Sequence, residues 1–257
     1  MKTAPSLSVG SLAVTVLLAL TIVLAKPVQA SILITDDFTI SSGRTLDGAL
    51  SGVTTEVGGA TWSAYSNVVF EENAGNGYIT PNTSGGTRAQ VAFSASSGIL
   101  SLSANIDTGA TGWTGLGFLN QSSSNLYTTT GGQFWVLLSS SGSATVYQGT
   151  TSLKTAAAPS FSSSSFNMVQ LDYDFSAAIV SVTINGSLFY SATSSYVPTI
   201  NYARIEWNSP TALDAQVDSF SASAVPEPSM VLLMGLAASG FLLVRLMRKE
   251  RFPLSPK

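Results

Sequence analysis

Apolar and polar residues alternate with period two through much of residues 31–224, and no stretch there repeats apolar residues at helical spacing. Leu100, Leu102, Ala104 and Ile106 alternate with Ser101, Ser103 and Asn105. Val169, Leu171, Tyr173 and Phe175 alternate with Gln170, Asp172 and Asp174, and Val180, Val182 and Ile184 with Ser181 and Thr183. Ala203, Ile205 and Trp207 alternate with Arg204 and Glu206. Successive side chains of a strand point to opposite faces, so each run predicts a strand with one face in a core and the other in solvent. Turn residues separate the runs. Asn185-Gly186 predicts a two-residue type I′ hairpin, and Gly58-Gly59, Gly75-Asn76-Gly77, Ser84-Gly85-Gly86, Gly131-Gly132 and Ser141-Gly142 mark further turns. Many short strands with frequent turn signals predict an all-β, two-sheet antiparallel sandwich over residues 31–224, read as one domain.

The two ends break this pattern. Lys2 precedes an apolar run from Leu12 to Leu24, and Val28-Gln29-Ala30 places small residues at a cleavage position. Residues 1–30 therefore read as a secretory signal peptide, cut after Ala30 by signal peptidase. At the other end, Pro226-Glu227-Pro228 precedes the apolar run Met230 to Val244, and Arg245, Arg248, Lys249 and Arg251 follow. That run predicts one short transmembrane helix, and the basic cluster acts as its stop signal on the cytoplasmic side. Residues 252–257 form a cytoplasmic tail.

Residues 225–251 resemble the PEP-CTERM sorting signal of Gram-negative bacteria in all three parts: the Pro-Glu-Pro motif, the short span and the basic tail. The resemblance implies recognition by an exosortase. It also implies transient anchoring in the inner membrane and delivery to the cell surface or extracellular matrix, where such proteins accompany exopolysaccharide and biofilm.

Composition narrows the chemistry. The 257 residues include no cysteine and no histidine. This removes disulfides, thiol nucleophiles, Cys or His metal sites and any Ser-His-Asp triad. Charged residues make up only 10% of the chain, against about 25% in an ordinary soluble domain. Residues 31–225 hold twelve acids against four bases (Arg44, Arg88, Lys154 and Arg204), a net charge of −8, whereas the ends carry a net +5. An acidic body without a basic stripe argues against nucleic acid as a partner.

The order of Asp36-Asp37-Phe38, Leu46-Asp47-Gly48, Gly59-Ala60-Thr61-Trp62, Trp113-Thr114-Gly115-Leu116-Gly117-Phe118, Phe134-Trp135-Val136 and Val217-Asp218-Ser219-Phe220 resembles the concanavalin A-like, laminin-G-like jelly rolls. The resemblance implies that the first and last strands lie side by side. Asp36, Asp37 and Asp218 would then meet, and such a carboxylate cluster is a candidate calcium site. Trp113, in a glycine-rich segment read as a loop end, is a candidate ligand contact. Trp135 and Trp207 read as core. Asp172 and Asp174 share a strand face and read as the polar side of an amphipathic strand. No catalytic string stands out, and no catalytic residue is assigned. The expectation is a non-catalytic, exported surface or matrix protein that binds extracellular polysaccharide or a surface partner. The alternatives are a purely structural matrix protein and a hydrolase or lyase working through carboxylates such as Asp172 and Glu206.

Overall fold

The alternating runs of the sequence become paired strands whose apolar residues meet in a common core. A computed structural model of the chain describes residues 31–225 apart from 42, 123, 124, 127–132 and 196. The expected signal peptide, the Pro-Glu-Pro motif with Pro226, Glu227 and Pro228, the expected transmembrane helix and Arg245, Arg248, Lys249 and Arg251 lie outside the described residues. Among those that are described there is no helix long and apolar enough to cross a membrane.

Fifteen strands follow in chain order: β1 (Ser31–Asp36), β2 (Trp62–Ala64), β3 (Val68–Asn73), β4 (Asn76–Pro81), β5 (Gly85–Ala95), β6 (Ile99–Asp107), β7 (Trp113–Leu119), β8 (Phe134–Ser139), β9 (Ser143–Gln148), β10 (Thr151–Ala157), β11 (Asn167–Asp174), β12 (Ile179–Ile184), β13 (Ser187–Thr193), β14 (Ile200–Ser209) and β15 (Gln216–Val225). One sheet runs β13-β12-β11-β6-β15-β4-β3, with β1 also on β15; the other runs β10-β9-β8-β7-β14-β5-β2. Every paired neighbour is antiparallel. The sandwich expected from the alternation is the fold observed.

The core lies between the sheets. Leu100, Leu102, Ala104 and Ile106 from β6, Val169, Leu171 and Tyr173 from β11, and Val180, Val182 and Ile184 from β12 face Leu116, Phe118, Phe134, Val136, Ala203, Ile205 and Trp207 of the other sheet. The Asn185-Gly186 hairpin has both residues at positive φ, 49° and 75°, as a type I′ turn requires.

The first and last strands pair as the jelly-roll resemblance implies, with Asp36 opposite Phe220 and Ser31 opposite Ala224. The junction is pinned by a buried charge. Arg44 Nη2 donates to Asp36 Oδ2 at 2.9 Å, Arg44 Nη1 to Asp36 Oδ1 at 2.6 Å, and Trp62 Nε1 to Asp36 Oδ2 at 2.8 Å. Trp62 in turn meets the Phe220 ring edge-on at 5.0 Å. The bidentate fork gives a geometry that a lysine could not.

Candidate functional site

The seven-stranded sheet has a second face, turned away from the core, whose residues the sequence pattern assigned to solvent. The structure corrects that assignment for β14. Arg204 is fully buried and Glu206 nearly so. Ser122 and Leu126, from between β7 and β8, lie against them: Leu126 N donates to Glu206 Oε2 at 2.7 Å, and Arg204 Nη2 donates to the Ser122 carbonyl at 2.8 Å. A covering segment some eighty residues earlier in the chain leaves no periodic signal in β14 itself.

Cross-strand register sets this face out in rows. Trp135 on β8 stands opposite Gly117 on β7, which stands opposite Arg204 on β14, which stands opposite Gln90 on β5. In the next row Leu137, Gly115, Glu206 and Arg88 are aligned. In the third, Ser139, Trp113, Asn208 and Gly86 are aligned. Gly117 is required by close approach: a Cβ there would lie 2.3 Å from Trp135 Cβ and 2.9 Å from the Phe134 carbonyl oxygen.

One side of the face is aromatic. Trp135 stacks on Tyr147 of β9 with centroids 4.2 Å apart and planes within 9°, and Trp113 lies 6.4 Å from Trp135. Trp135 Nε1 donates to the Gly149 carbonyl at 2.8 Å, which fixes the indole. Trp135 is therefore buried, as expected, but on the outer face with Leu119 and Leu126 rather than in the main core. Trp207 is in the main core. Trp113, the candidate ligand contact, is half-buried at the rim of this aromatic group.

The other side is polar. A hollow of about 90 Å³ is lined by Tyr65, Gly86, Thr87, Arg88, Asn125 and Glu206. The Arg88 guanidinium lies 4.8 Å over the Tyr65 ring and donates to Asn125 Oδ1. Arg204 donates to Gln90 Oε1 through Nε at 3.1 Å, and its Nη1 is 3.9 Å from Glu206 Oε2. Burial pushes the Glu206 carboxyl above the usual carboxylate range, against the opposing pull of the Leu126 N–H and the two guanidiniums. Burial first, and then repulsion by Arg88, brings Arg204 down to about 10. Arg204 Nη1 and Gln133 Oε1 are buried and have no hydrogen-bond partner among the described residues.

Trp113 and the hollow are joined by accessible surface. Asn208 and Gly86, which continue the Trp113 row, are both exposed. Neighbouring strands lie about 4.8 Å apart, so the row carries roughly 10 Å from Trp113 to the rim of the hollow. Sequence reasoning singled out Trp113 but not Arg88, Asn125 or Asn208, which share this face. The signal available was the coincidence of two of the four bases of the body, Arg88 and Arg204, with the only acid in any strand of this sheet, Glu206.

The other sequence-derived candidates lie elsewhere. The terminal strands bring Asp37 and Asp218 within electrostatic reach of each other, but Asp36 turns inward, where Arg44 and Trp62 occupy its carboxylate. Among the described residues no group of three or more His, Cys, Asp or Glu side chains converges, so the calcium cluster expected from Asp36, Asp37 and Asp218 does not assemble there. Its charge is met instead by a guanidinium that the sequence pattern did not place. Asp172 accepts from Gln170 Nε2 at 2.9 Å, and Asp174 caps the following turn through Ser176 N and Ala177 N. Both sit on β11, in the sheet opposite Glu206.

The sandwich is similar to an endo-1,3-beta-glucanase from Streptomyces sioyaensis at 16% identity, over 79% of this chain and 99% of that one, with a TM-score of 0.51. It is also similar to a Bacillus subtilis protein of unknown function with a galectin-like fold, at 11% identity over 76% of this chain and 99% of that chain, TM-score 0.49. A carbohydrate binding module from Bacillus subtilis matches at 9% identity over 70% and 99% of the two chains, TM-score 0.44. The likeness to the glucanase is one of fold alone, a two-sheet antiparallel β-sandwich. Residues 224–249 match the PEP-CTERM protein-sorting motif. The matched segment begins at the last two residues of β15. No curated protein matches it in sequence.

Proposed function

We propose that this chain is an exported, exosortase-sorted protein whose sandwich binds an extracellular polysaccharide without cleaving it. Export and sorting rest on the motif at residues 224–249. In this reading the exosortase grips Pro226-Glu227-Pro228, and the basic cluster from Arg245 to Arg251 holds the preceding apolar run in the inner membrane of a Gram-negative cell until processing. The sandwich then works at the cell surface or in the matrix.

Binding rests on one arrangement: the half-buried Trp113 in one row with exposed Asn208 and Gly86, ending at the hollow of Tyr65, Arg88, Asn125 and Glu206. A sugar ring offers apolar C–H faces to an indole and hydroxyls to amides, carboxylates and guanidiniums, and this strip presents both kinds of surface side by side. Binding is favoured over hydrolysis because glycoside cleavage uses a pair of carboxyl groups flanking the bond. Glu206 is the only acid in the seven strands of this sheet, and the sequence between β7 and β8, residues 120–133, contains none.

Affinity electrophoresis of the full chain in mild detergent, through gels holding a panel of acidic and neutral polysaccharides, tests the reading. Retention by at least one of them is expected. Trp113→Ala is expected to weaken that retention about tenfold, the effect of losing a central aromatic contact worth roughly 1.4 kcal/mol. No retention on any polysaccharide would leave a purely structural matrix protein in its place. For the sorting half, replacing Pro226 and Pro228 with alanine is expected to trap the protein in the inner-membrane fraction. Unchanged release would contradict exosortase recognition.

A further inference from the structure

The end strands of the two sheets are treated differently at the two flanks of the sandwich. At one flank the chain itself covers them. Asp47 N donates to the Phe70 carbonyl, Phe70 N to the Gly48 carbonyl and Leu50 N to the Val68 carbonyl, so residues 47–50 run along β3. Gly52 N donates to the Trp62 carbonyl and Trp62 N to the Val53 carbonyl, which covers β2 in the same way. At the other flank β13 and β10 are the end strands. Among the described residues, the one hydrogen bond that reaches β13 from outside its hairpin with β12 is donated by Lys154 Nζ, on β10, to the Phe189 carbonyl. An uncovered edge presents unpaired N–H and C=O groups, a template for another strand.

Register shows which groups of β13 face outward. Ser194 N donates to the Ala178 carbonyl, and Thr193, Ala192 and Ser191 stand opposite Ile179, Val180 and Ser181. Antiparallel ladders alternate, so Ala192 turns its N–H and C=O toward β12, whereas Ser191 and Thr193 turn theirs away. Ser191 and Thr193 are exposed, and Ala192 is half-buried. Nearer the Asn185-Gly186 turn, the bulge between Leu188 and Tyr190 and the Lys154 contact interrupt the edge, which confines pairing to the far end of β13. That end lacks the usual guards, since Ser187–Thr193 holds no charge and no proline. β10 is guarded by its own Lys154.

Charge and symmetry name the occupant. Strands β8, β9, β10, β12 and β13 contain no acid and one base, Lys154, in a body of net charge −8. The acids aligned with Ser191 and Thr193 are Asp172 and Asp174 on β11, two strands in and about 10 Å away. Two copies of this acidic body therefore repel least where these flanks meet. A twofold axis at Ala192 sets Ser191 of each copy opposite Thr193 of the other, and each such pair exchanges two backbone bonds. Pairing with a second copy closes both edges at once, whereas a foreign strand would leave a new one. We propose that the far end of β13 is a homotypic contact, through which two copies of this chain join their larger sheets into one. The contact is short, so it forms where copies are concentrated. It lies on the sheet opposite Trp113 and does not depend on the glycan-binding reading.

The chain has no cysteine, so a single introduced one reports its own neighbourhood. In the full chain in mild detergent, Ala192→Cys lies on the proposed axis. Facing residues of a non-hydrogen-bonded pair have Cα atoms about 4.5 Å apart, within disulfide reach. Mild oxidation is expected to convert most of this variant to a linked dimer. Ser152→Cys on β10 and Ser84→Cys before β5 are expected to give at least about tenfold less, and adding Thr193→Lys to Ala192→Cys should lower its yield as much, because a lysine guards an edge. Sedimentation supplies a reading without cysteine. At about 100 µM, enough to fill a contact of micromolar Kd, the wild type is expected to contain dimer and Thr193→Lys to be a single chain. Equal linking at all three cysteine positions, stronger linking through Ser152→Cys, or a wild type that sediments as one chain would overturn the proposal. Glycan binding would be untouched by any of these results.

Discussion

Gly117 faces Trp135 across the β7–β8 ladder so closely that a single added methyl group would lie 2.3 Å from Trp135 Cβ. The aromatic half of the outer face depends on this absence of a side chain. Gly117→Ala is expected to destabilise the fold by about 1–3 kcal/mol, the usual range for overpacking. It should also tilt Trp135 off Tyr147. Urea unfolding gives the first effect, and near-ultraviolet circular dichroism of the stacked pair gives the second. An unchanged spectrum would show that the stack does not need the glycine.

The buried ion pair between Asp36 and Arg44 joins the end of the first strand to the loop after it. Removing one partner leaves the other charge buried, so Asp36→Asn is expected to cost about 3–5 kcal/mol in urea unfolding. Replacing both residues with apolar side chains should cost much less. A loss for the double variant equal to that for Asp36→Asn would contradict this account of the pair.

Gly186 occupies the second position of the type I′ turn at φ 75°. Gly186→Ala should lower stability by roughly 1 kcal/mol, because a side chain there is strained whatever space surrounds it. Gly86→Ala makes a useful control, since a Cβ there meets only the Trp207 carbonyl oxygen at 3.9 Å.

Asp174 predicts a pH effect of defined sign. The Ala177 and Ser176 N–H groups and the Ser176 hydroxyl donate to its carboxylate and hold its pKa below the usual value. A group whose folded value is depressed stabilises the fold above its unfolded value, and this contribution disappears as pH falls through the folded value. Asp174→Asn is therefore expected to cost about 1 kcal/mol at neutral pH, and its stability curve should merge with that of the wild type in acid. A constant difference across the range would show that the charge is not what caps the turn.

The fold was open to reading wherever one face of a strand is apolar and the other small and polar, as in β6, β11 and β12. Their alternation survives because Ser101, Ser103 and Ser181 on the outer side keep part of their surface accessible. It misled at Arg204 and Glu206, where the same alternation hides a covered, half-polar layer. Period two records which residues point apart, not what lies above them, and the cover arrives from the β7–β8 segment. Trp113 could be singled out because glycines flank it. Arg88 and Asn125 could not, since only the pairing of β5 with β14 and the path of that segment bring them to one hollow. The Arg44 fork on Asp36 was hidden for the same reason, as no spacing rule ties the two positions.

The most direct measurement is of the four indole N–H signals by NMR as a bound polysaccharide is titrated in. Trp62 Nε1 is tied to Asp36, Trp135 Nε1 to Gly149, and Trp207 is buried in the main core, which leaves Trp113 at the rim. The account predicts that the Trp113 signal shifts most, assigned through Trp113→Phe, that Trp135 follows weakly, and that Trp62 and Trp207 stay in place. Binding that leaves the Trp113 signal unmoved would place the ligand on another surface and contradict the account.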